Sequence, residues 1–200
     1  MRLLLVIVSM LGACRTKDTA KPPQQPQPPA VARPATESLP PMPAYPEAAR
    51  GRLAVQSAGG DHEIKGEWPA QAGACDKPPI LQVVTQEKGI GTIVVLELPV
   101  KLRVTSYPVT AIAQGLPAPP ASQVGVQLFR PEGPSAYQAT EGTVDVSAYE
   151  KTVSGRFGVT LRQVSSSARI RYAGAFREIP IRQLDPAHCA VSDSAGSARR

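Results

Sequence analysis

Residues 152–177 read TVSGRFGVTLRQVSSSARIRYAGAFR, and the alternation within them decides the fold. In the first half Val153, Gly155, Phe157, Val159 and Leu161 fall on odd positions; in the second, Ile170, Tyr172, Gly174 and Phe176 fall on even ones. A period of two places each set on one face of a strand. Folding the two strands together across QVSSSA puts both apolar sets on the same side, the condition for a register with one buried face. Glycine precedes phenylalanine by two residues in each strand (Gly155 and Phe157, Gly174 and Phe176), so a glycine is expected to make room beside each ring. Pro180 falls where the alternation slips between Ile179 and Ile181, which suits a bulge or an edge strand.

The same short alternating runs recur upstream, among them RLAVQS, HEIKGEW, ILQVVTQ, GTIVVLE, KLRVTSY, VGVQLFR and GTVDVSAY, and no stretch of a dozen residues keeps a helical period. Closely spaced strands rich in Val, Ile, Thr and Tyr predict an all-β domain over residues 49–190, an antiparallel β-sandwich, immunoglobulin-like or related, of about 8–10 strands. A domain of that size buries roughly two thirds of the surface its unfolded chain exposes. The order Trp68, Cys75, Cys189 departs from the Cys, Trp, Cys order of immunoglobulin domains, which leaves the topology open.

At the other end the chain begins MRLLLVIVSMLGACRTKD. The apolar stretch from Leu3 to Ala13 would be roughly 16 Å long as a helix, against a bilayer hydrocarbon core of about 30 Å, so it is too short to span. Arg2, the apolar stretch and the small residues Gly12 and Ala13 match the three regions of a secretory signal peptide. Leu11, Gly12, Ala13 and Cys14 in sequence resemble the lipobox of bacterial lipoproteins. That resemblance, confined to the first 14 residues, implies a signal peptide over 1–13, cleavage between Ala13 and Cys14, and acylation of Cys14. Two or three acyl chains give a stable anchor where one gives marginal binding. In this class an aspartate after the lipidated cysteine favours retention at the inner membrane; Arg15 stands there instead, which directs the expectation to the outer membrane, facing the periplasm or the exterior.

Residues 14–48 carry close to half of the chain's 22 prolines, interspersed with Gln and Ala. Such a stretch lacks the apolar side chains to offset the entropy of ordering, and proline biases it to polyproline II. It reads as a disordered tether, about 100 Å long if fully extended. Residues 191–200 read as a disordered tail.

The formal charge is +6. On the face of the 152–177 hairpin opposite its apolar side stand Arg156, Arg162, Arg169, Arg171 and Arg177, a possible ligand-binding surface for anionic lipid or acidic glycan, because clustered arginines grip phosphate and carboxylate. The plainer reading is a solvated sheet face with Asp145 and Glu178 as partners. Nucleic acid is disfavoured by the exported compartment and by the scarcity of aromatics among the charges. With Cys14 committed to lipid, Cys75 and Cys189 form an even pair in an oxidising compartment and predict a disulfide. A Cys₂His₂ zinc site with His62 and His188 competes, but no pair has the close spacing that seeds one.

Catalytic templates are missing from the sequence: no GxSxG, SxxK, HExxH, GxGxxG or GxxxxGK, and Gly89 and Gly91 in KGIGT precede a strand and not a helix. Asp185 and His188 lie in one loop, where Asp-Pro signals a turn. Glu63 and Glu67, about 13 Å apart along one strand, are too distant for a glycosidase pair. Trp68 shares the other face of that strand with Ile64 and reads as core more than as a sugar platform. The expectation is therefore a membrane-anchored envelope lipoprotein without metal or cofactor, its β-sandwich a non-catalytic structural or protein-interaction module. The alternatives are a binding module for glycan or anionic lipid head groups, and a hydrolase with a dispersed active site.

Overall fold

The computed structural model describes residues 38–60, 63–87, 89–99, 101–111, 119–131, 133–185 and Cys189. The stretch expected as a signal peptide, Cys14, most of the proline-rich segment, His62, His188 and residues 191–200 lie outside the described residues.

The hairpin that opened the reading forms with the register the alternation demands. Strands β9 (Thr152–Gln163) and β10 (Arg169–Gln183) pair antiparallel, with Ile170 opposite Leu161, Tyr172 opposite Val159, Gly174 opposite Phe157 and Phe176 opposite Gly155. Val153, Phe157, Val159, Leu161 and Tyr172 are fully buried. The two Gly-x-Phe units interlock across the strands: a Cβ on Gly174 would lie 2.2 Å from Phe157 Cζ, and one on Gly155 would lie 2.5 Å from Phe176 Cζ. Each glycine thus receives the ring of the other strand. The register shifts between Phe176 and Ile179, just ahead of Pro180, and Glu178 there takes φ 47° with its N–H donating to Ser154 Oγ at 2.8 Å.

Eight more strands complete the body: β1 (Arg52–Ala58), β2 (Lys65–Pro69), β3 (Gln71–Asp76), β4 (Pro79–Glu87), β5 (Ile90–Glu97), β6 (Ser106–Pro108), β7 (Ala121–Arg130) and β8 (Gly133–Tyr149). Their hydrogen bonding makes one ten-stranded sheet in the order β2-β1-β10-β3-β4-β5-β7-β8-β6, with β9 bridging β8 and β10. The long strands β8 and β10 cause the fold-over. Each spends one edge on β9 and divides the other between two partners, β7 then β6 for β8, and β1 then β3 for β10. The sheet thereby doubles over one apolar cluster to which all ten strands contribute, a sandwich-like all-β body. All pairings between named strands are antiparallel except β10 with β3, parallel over Ile181–Gln183 and Ala72–Ala74.

Three stretches depart from the sequence reading. KLRVTSY yields only the three-residue β6, because Tyr107 Oη turns back on the backbone N–H and carbonyl of Arg103, both at 3.2 Å, and closes a tight bend that alternation does not encode. QAGACD, which shows no alternating apolar run in the sequence, is strand β3. Its small residues have low β propensity, yet Leu184 covers Gly73 and the Leu184 N–H donates to the Ala74 carbonyl at 2.9 Å. GTVDVSAY is only the second half of β8; its first half, GPSAYQAT, is too polar to register as a strand and is held by β7.

The ordered body also begins earlier than the boundary at residue 49. Residues 38–48 lie as a strap along the outer face of β1, β9 and β10. Gln56 Nε2 donates to the Ala44 carbonyl, the Ala49 N–H donates to Glu67 Oε1 at 2.5 Å, and Tyr45 Oη sits 2.9 Å from where a Gly158 Cβ would be. Outward-facing Ala54 and Ala173 are buried in this bed. Small residues supply the trough, and four prolines between positions 40 and 46 keep the strap extended without a hydrogen-bonded ladder.

Candidate functional site

The five arginines do not act together. The Arg156 guanidinium lies 3.4 Å from Asp145 Oδ2 and 4.7 Å from the centre of the Tyr45 ring, which stacks it against the strap. Arg177 reaches Glu178 at 3.6 Å, and Glu178 also takes Arg50 at 3.0 Å. Arg171 Nη1 donates to Glu141 Oε1 at 3.3 Å and to Thr160 Oγ1, whose own O–H donates to the same carboxylate oxygen at 2.7 Å. The proton of this buried hydroxyl is thereby committed. Arg162 and Arg169 face each other across the hairpin with no ion pair among the described residues. Exposed pairs of this kind contribute about 0–1 kcal/mol each, so the face reads energetically as a solvated sheet surface.

Cys75 and Cys189 stand at disulfide distance, S–S 2.13 Å. Bonded, both sulfurs are removed from the competing zinc set, and the pair forms a small apolar cluster with Ile80, packed by Val95 and Leu184, on the outer face of β3, β4 and β5. Cys75 belongs to strand β3, so the bridge fastens the chain beyond β10 to the strand that β10 pairs in parallel. Among the described residues no group of three or more His, Cys, Asp or Glu side chains is arranged to hold a metal ion. No helix among them is long and apolar enough to cross a membrane.

Glu67 is engaged by the Ala49 N–H and by Arg52 at 3.6 Å. Trp68 is half-buried against the core with its ring lying over Gly66, where a Cβ would come within 2.3 Å of Cζ2. It borders only a shallow depression of about 270 Å³ beside Ile64 and Phe129. A wider, open depression of about 860 Å³ separates the strap residues Tyr45–Ala48 from β8, β9 and β10; its charges are Glu47 and the paired Asp145, Arg156, Arg177 and Glu178 described above.

The most enclosed of the three concavities lies on the other side of the core. A groove of about 520 Å³ runs over the outer face of β4, β5, β7 and β8. Its geometry follows from register. Val84, Ile93, Gly125 and Gln138 stand side by side across the four strands, and Gln86, Gly91, Gln127 and Ala136 form the next row. Gly91 and Gly125 leave the floor bare between Ile93 and the glutamines, and Phe129, 47% exposed, closes one end. Thr110, Gln123 and Val95 line the other side; among the described residues no charged side chain lines the groove itself, and the row of Gln138 continues onto β9 at Arg162. Val95 is shared with the disulfide cluster, so Cys189 ends beside the groove.

Below the groove floor, Thr92 Oγ1 and Tyr172 Oη share a fully buried hydrogen bond of 2.8 Å between the two layers. Burial pushes the Tyr172 phenol far above the ordinary tyrosine range, against the smaller lowering effect of Thr92. Glu97 at the end of β5 is buried, and desolvation holds its carboxyl above the usual carboxylate range.

None of the groove residues was singled out from the sequence. The available signal was the unbroken run IVVL at 93–96: a strand with one wet face alternates, whereas a run apolar on both faces is covered on both. Ile93 and Val95 point outward in that run, and Ile93 is 37% exposed. Comparison of the chain with protein-family models, with curated proteins and with solved structures finds no match.

Proposed function

We propose that this chain is a lipid-anchored protein of a bacterial cell envelope whose β body acts by binding another envelope component and not by catalysis. The order Leu11, Gly12, Ala13, Cys14 supports acylation of Cys14, and Arg15 favours the outer membrane. The proline-rich stretch after Cys14 supplies reach. The observation that carries the binding reading is the position of the groove: it lies on the outer face of β4, β5, β7 and β8, across the core from the strap through which the chain enters the body. Pockets of about 300–1,000 Å³ with an apolar lining and a few convergent polar groups are the usual form of a binding site.

Two measurements test this. In cells, wild-type protein is expected in the membrane fraction with an acyl label, and Cys14→Ser is expected in the aqueous fraction without it. A photo-crosslinking residue at position 93 is expected to give adducts, and one at Val104, an exposed side chain in the bend ahead of β6, to give none. Unchanged fractionation of Cys14→Ser, or no adduct from position 93, refutes the proposal.

A further inference from the structure

The two arginines left over from the ion pairs extend the groove, given the reading of the body as a binding module. Gln138 of β8 stands opposite Arg162 of β9, and Arg162 stands opposite Arg169 of β10. Residues directly opposite in antiparallel pairs share a face. Val84, Ile93, Gly125, Gln138, Arg162 and Arg169 therefore form one row on the outer surface of six neighbouring strands. The row beside it continues too, since the Val164 N–H donates to the Ala136 carbonyl at 2.8 Å and brings an exposed valine next to the groove. The groove thus has a basic end.

Arg162 and Arg169 are both exposed, and neither makes an ion pair among the described residues. Glu141, three residues on from Gln138 along β8, already accepts from Arg171 and Thr160. Side chains directly opposite in a hairpin start about 5 Å apart, where like charges repel. A phosphate monoester, with close to two negative charges and three acceptor oxygens, turns that repulsion into charge-assisted hydrogen bonds from both guanidiniums. Gln138, next in the row on the groove side, supplies further N–H donors.

Away from that end the surface is apolar. Ile93 and Phe129 are among the few large apolar side chains the body exposes, and Val84 and Val95 flank Ile93 on its own face. Gly91 and Gly125 add no side chain, so a slot stays open beside Ile93. With strands about 4.8 Å apart, Ile93 lies about 14 Å from Arg162 across the sheet, the span of a medium-length alkyl chain. Such a chain asks for no hydrogen bonds over this floor. A peptide does, and peptides that dock on sheets obtain them at a free edge. Here β5 is paired along its whole length on both sides, by β4 and by β7, so main-chain groups laid over Ile93 would go unsatisfied.

We infer that the groove and the adjoining Arg162 and Arg169 form one site for an anionic lipid, its acyl chain over Ile93 and its phosphate head on the two guanidiniums. The test is calorimetric titration of the full-length chain carrying Cys14→Ser, in buffer without detergent, with decyl phosphate below its micelle concentration. Saturable binding is expected, weakening about two- to fourfold for each methylene removed in octyl and hexyl phosphate. Decyl maltoside, which keeps the chain without the charge, and inorganic phosphate, which keeps the charge without the chain, are each expected to bind at least tenfold more weakly. Arg162→Gln with Arg169→Gln is expected to weaken decyl phosphate tenfold or more, Ile93→Asp to abolish its binding, and Arg156→Gln to leave it unchanged, while melting temperatures certify that each variant is folded. No saturable heat from decyl phosphate at millimolar concentration overturns the inference, as does binding indifferent to the arginine pair or to Ile93→Asp. Decyl maltoside binding as tightly overturns the anionic head, inorganic phosphate binding as tightly overturns the lipid, and an acidic peptide binding in place of decyl phosphate, with the same sensitivity to both substitutions, does so as well. In each case the in-cell crosslinks from position 93 still report separately on whether the groove is a binding surface.

Discussion

Gly174→Ala puts the packing of the hairpin to a quantitative trial. The added methyl would stand 2.2 Å from Phe157 Cζ and 2.5 Å from Cε1. Carbon atoms rest at about 3.5–4.0 Å, so the ring must retreat by more than an ångström. It has little room: Phe157 is fully buried, with the Tyr172 ring centroid 5.7 Å away. Overpacking a tight core costs about 1–3 kcal/mol, while the lower unfolded-state entropy of alanine returns up to about 1 kcal/mol. The expected net loss is about 1–2 kcal/mol, seen as a melting temperature lower by about 3–8 °C for a body of this size. Gly91→Ala is the control, since its nearest neighbour would be the Thr85 carbonyl at 3.8 Å and its φ is ordinary; it is expected to be neutral or slightly stabilising. Urea unfolding of Gly174→Ala, of Phe157→Leu and of the two combined closes a double-mutant cycle. The smaller side chain is expected to relieve the clash, giving a coupling of at least about 0.5 kcal/mol. A Gly174→Ala protein that melts at or above the wild type, or strictly additive substitutions, would refute the interlocked arrangement.

Three other expectations follow from the body. Alkylation of the native protein should find neither Cys75 nor Cys189 free; Cys75→Ser with Cys189→Ser, which opens a loop with a sequence separation of 114, should destabilise by about 4–5 kcal/mol in the chain-entropy model, and two reactive thiols in the wild type would disprove the bridge. For Glu97 the folded-state pKa is raised, so its contribution is favourable below the unfolded carboxylate range and is lost as pH rises through the folded value. Glu97→Gln should accordingly melt higher than wild type at pH 7 and indistinguishably at pH 3, and the opposite ordering in a pH series of melting curves would contradict the burial argument. Gly158→Val should collide with Tyr45 and lift the strap; limited proteolysis should then cut between residues 38 and 48 at least tenfold faster, with no such change for Gly91→Ala, whose nearest neighbour would be the Thr85 carbonyl at 3.8 Å.

The all-β class and the β9–β10 register were legible because a period of two, sustained over Val153–Leu161 and Ile170–Phe176, admits one arrangement with a buried face. The pairing of Cys75 with Cys189 was legible from parity. Strand β3 and the first half of β8 were hidden, because small or polar residues become strands only when a neighbour such as Leu184 or β7 supplies the contacts that their own side chains lack. The strap was hidden for the same reason: proline-rich sequence reads as unstructured until a trough of Gly158, Ala173 and Ala54 exists to receive it.

Local order along the chain settled which residues alternate, where the hairpin turns and which cysteines remain to pair, since these depend on neighbours in sequence. The tertiary structure alone decided that three of the five arginines are spent on carboxylates, that two glycines trade rings across a hairpin, and that Ile93, Gly125 and Gln138, from three different strands, share one row of a groove. Register between distant strands is set by long-range pairing around a common core, and no single segment contains it.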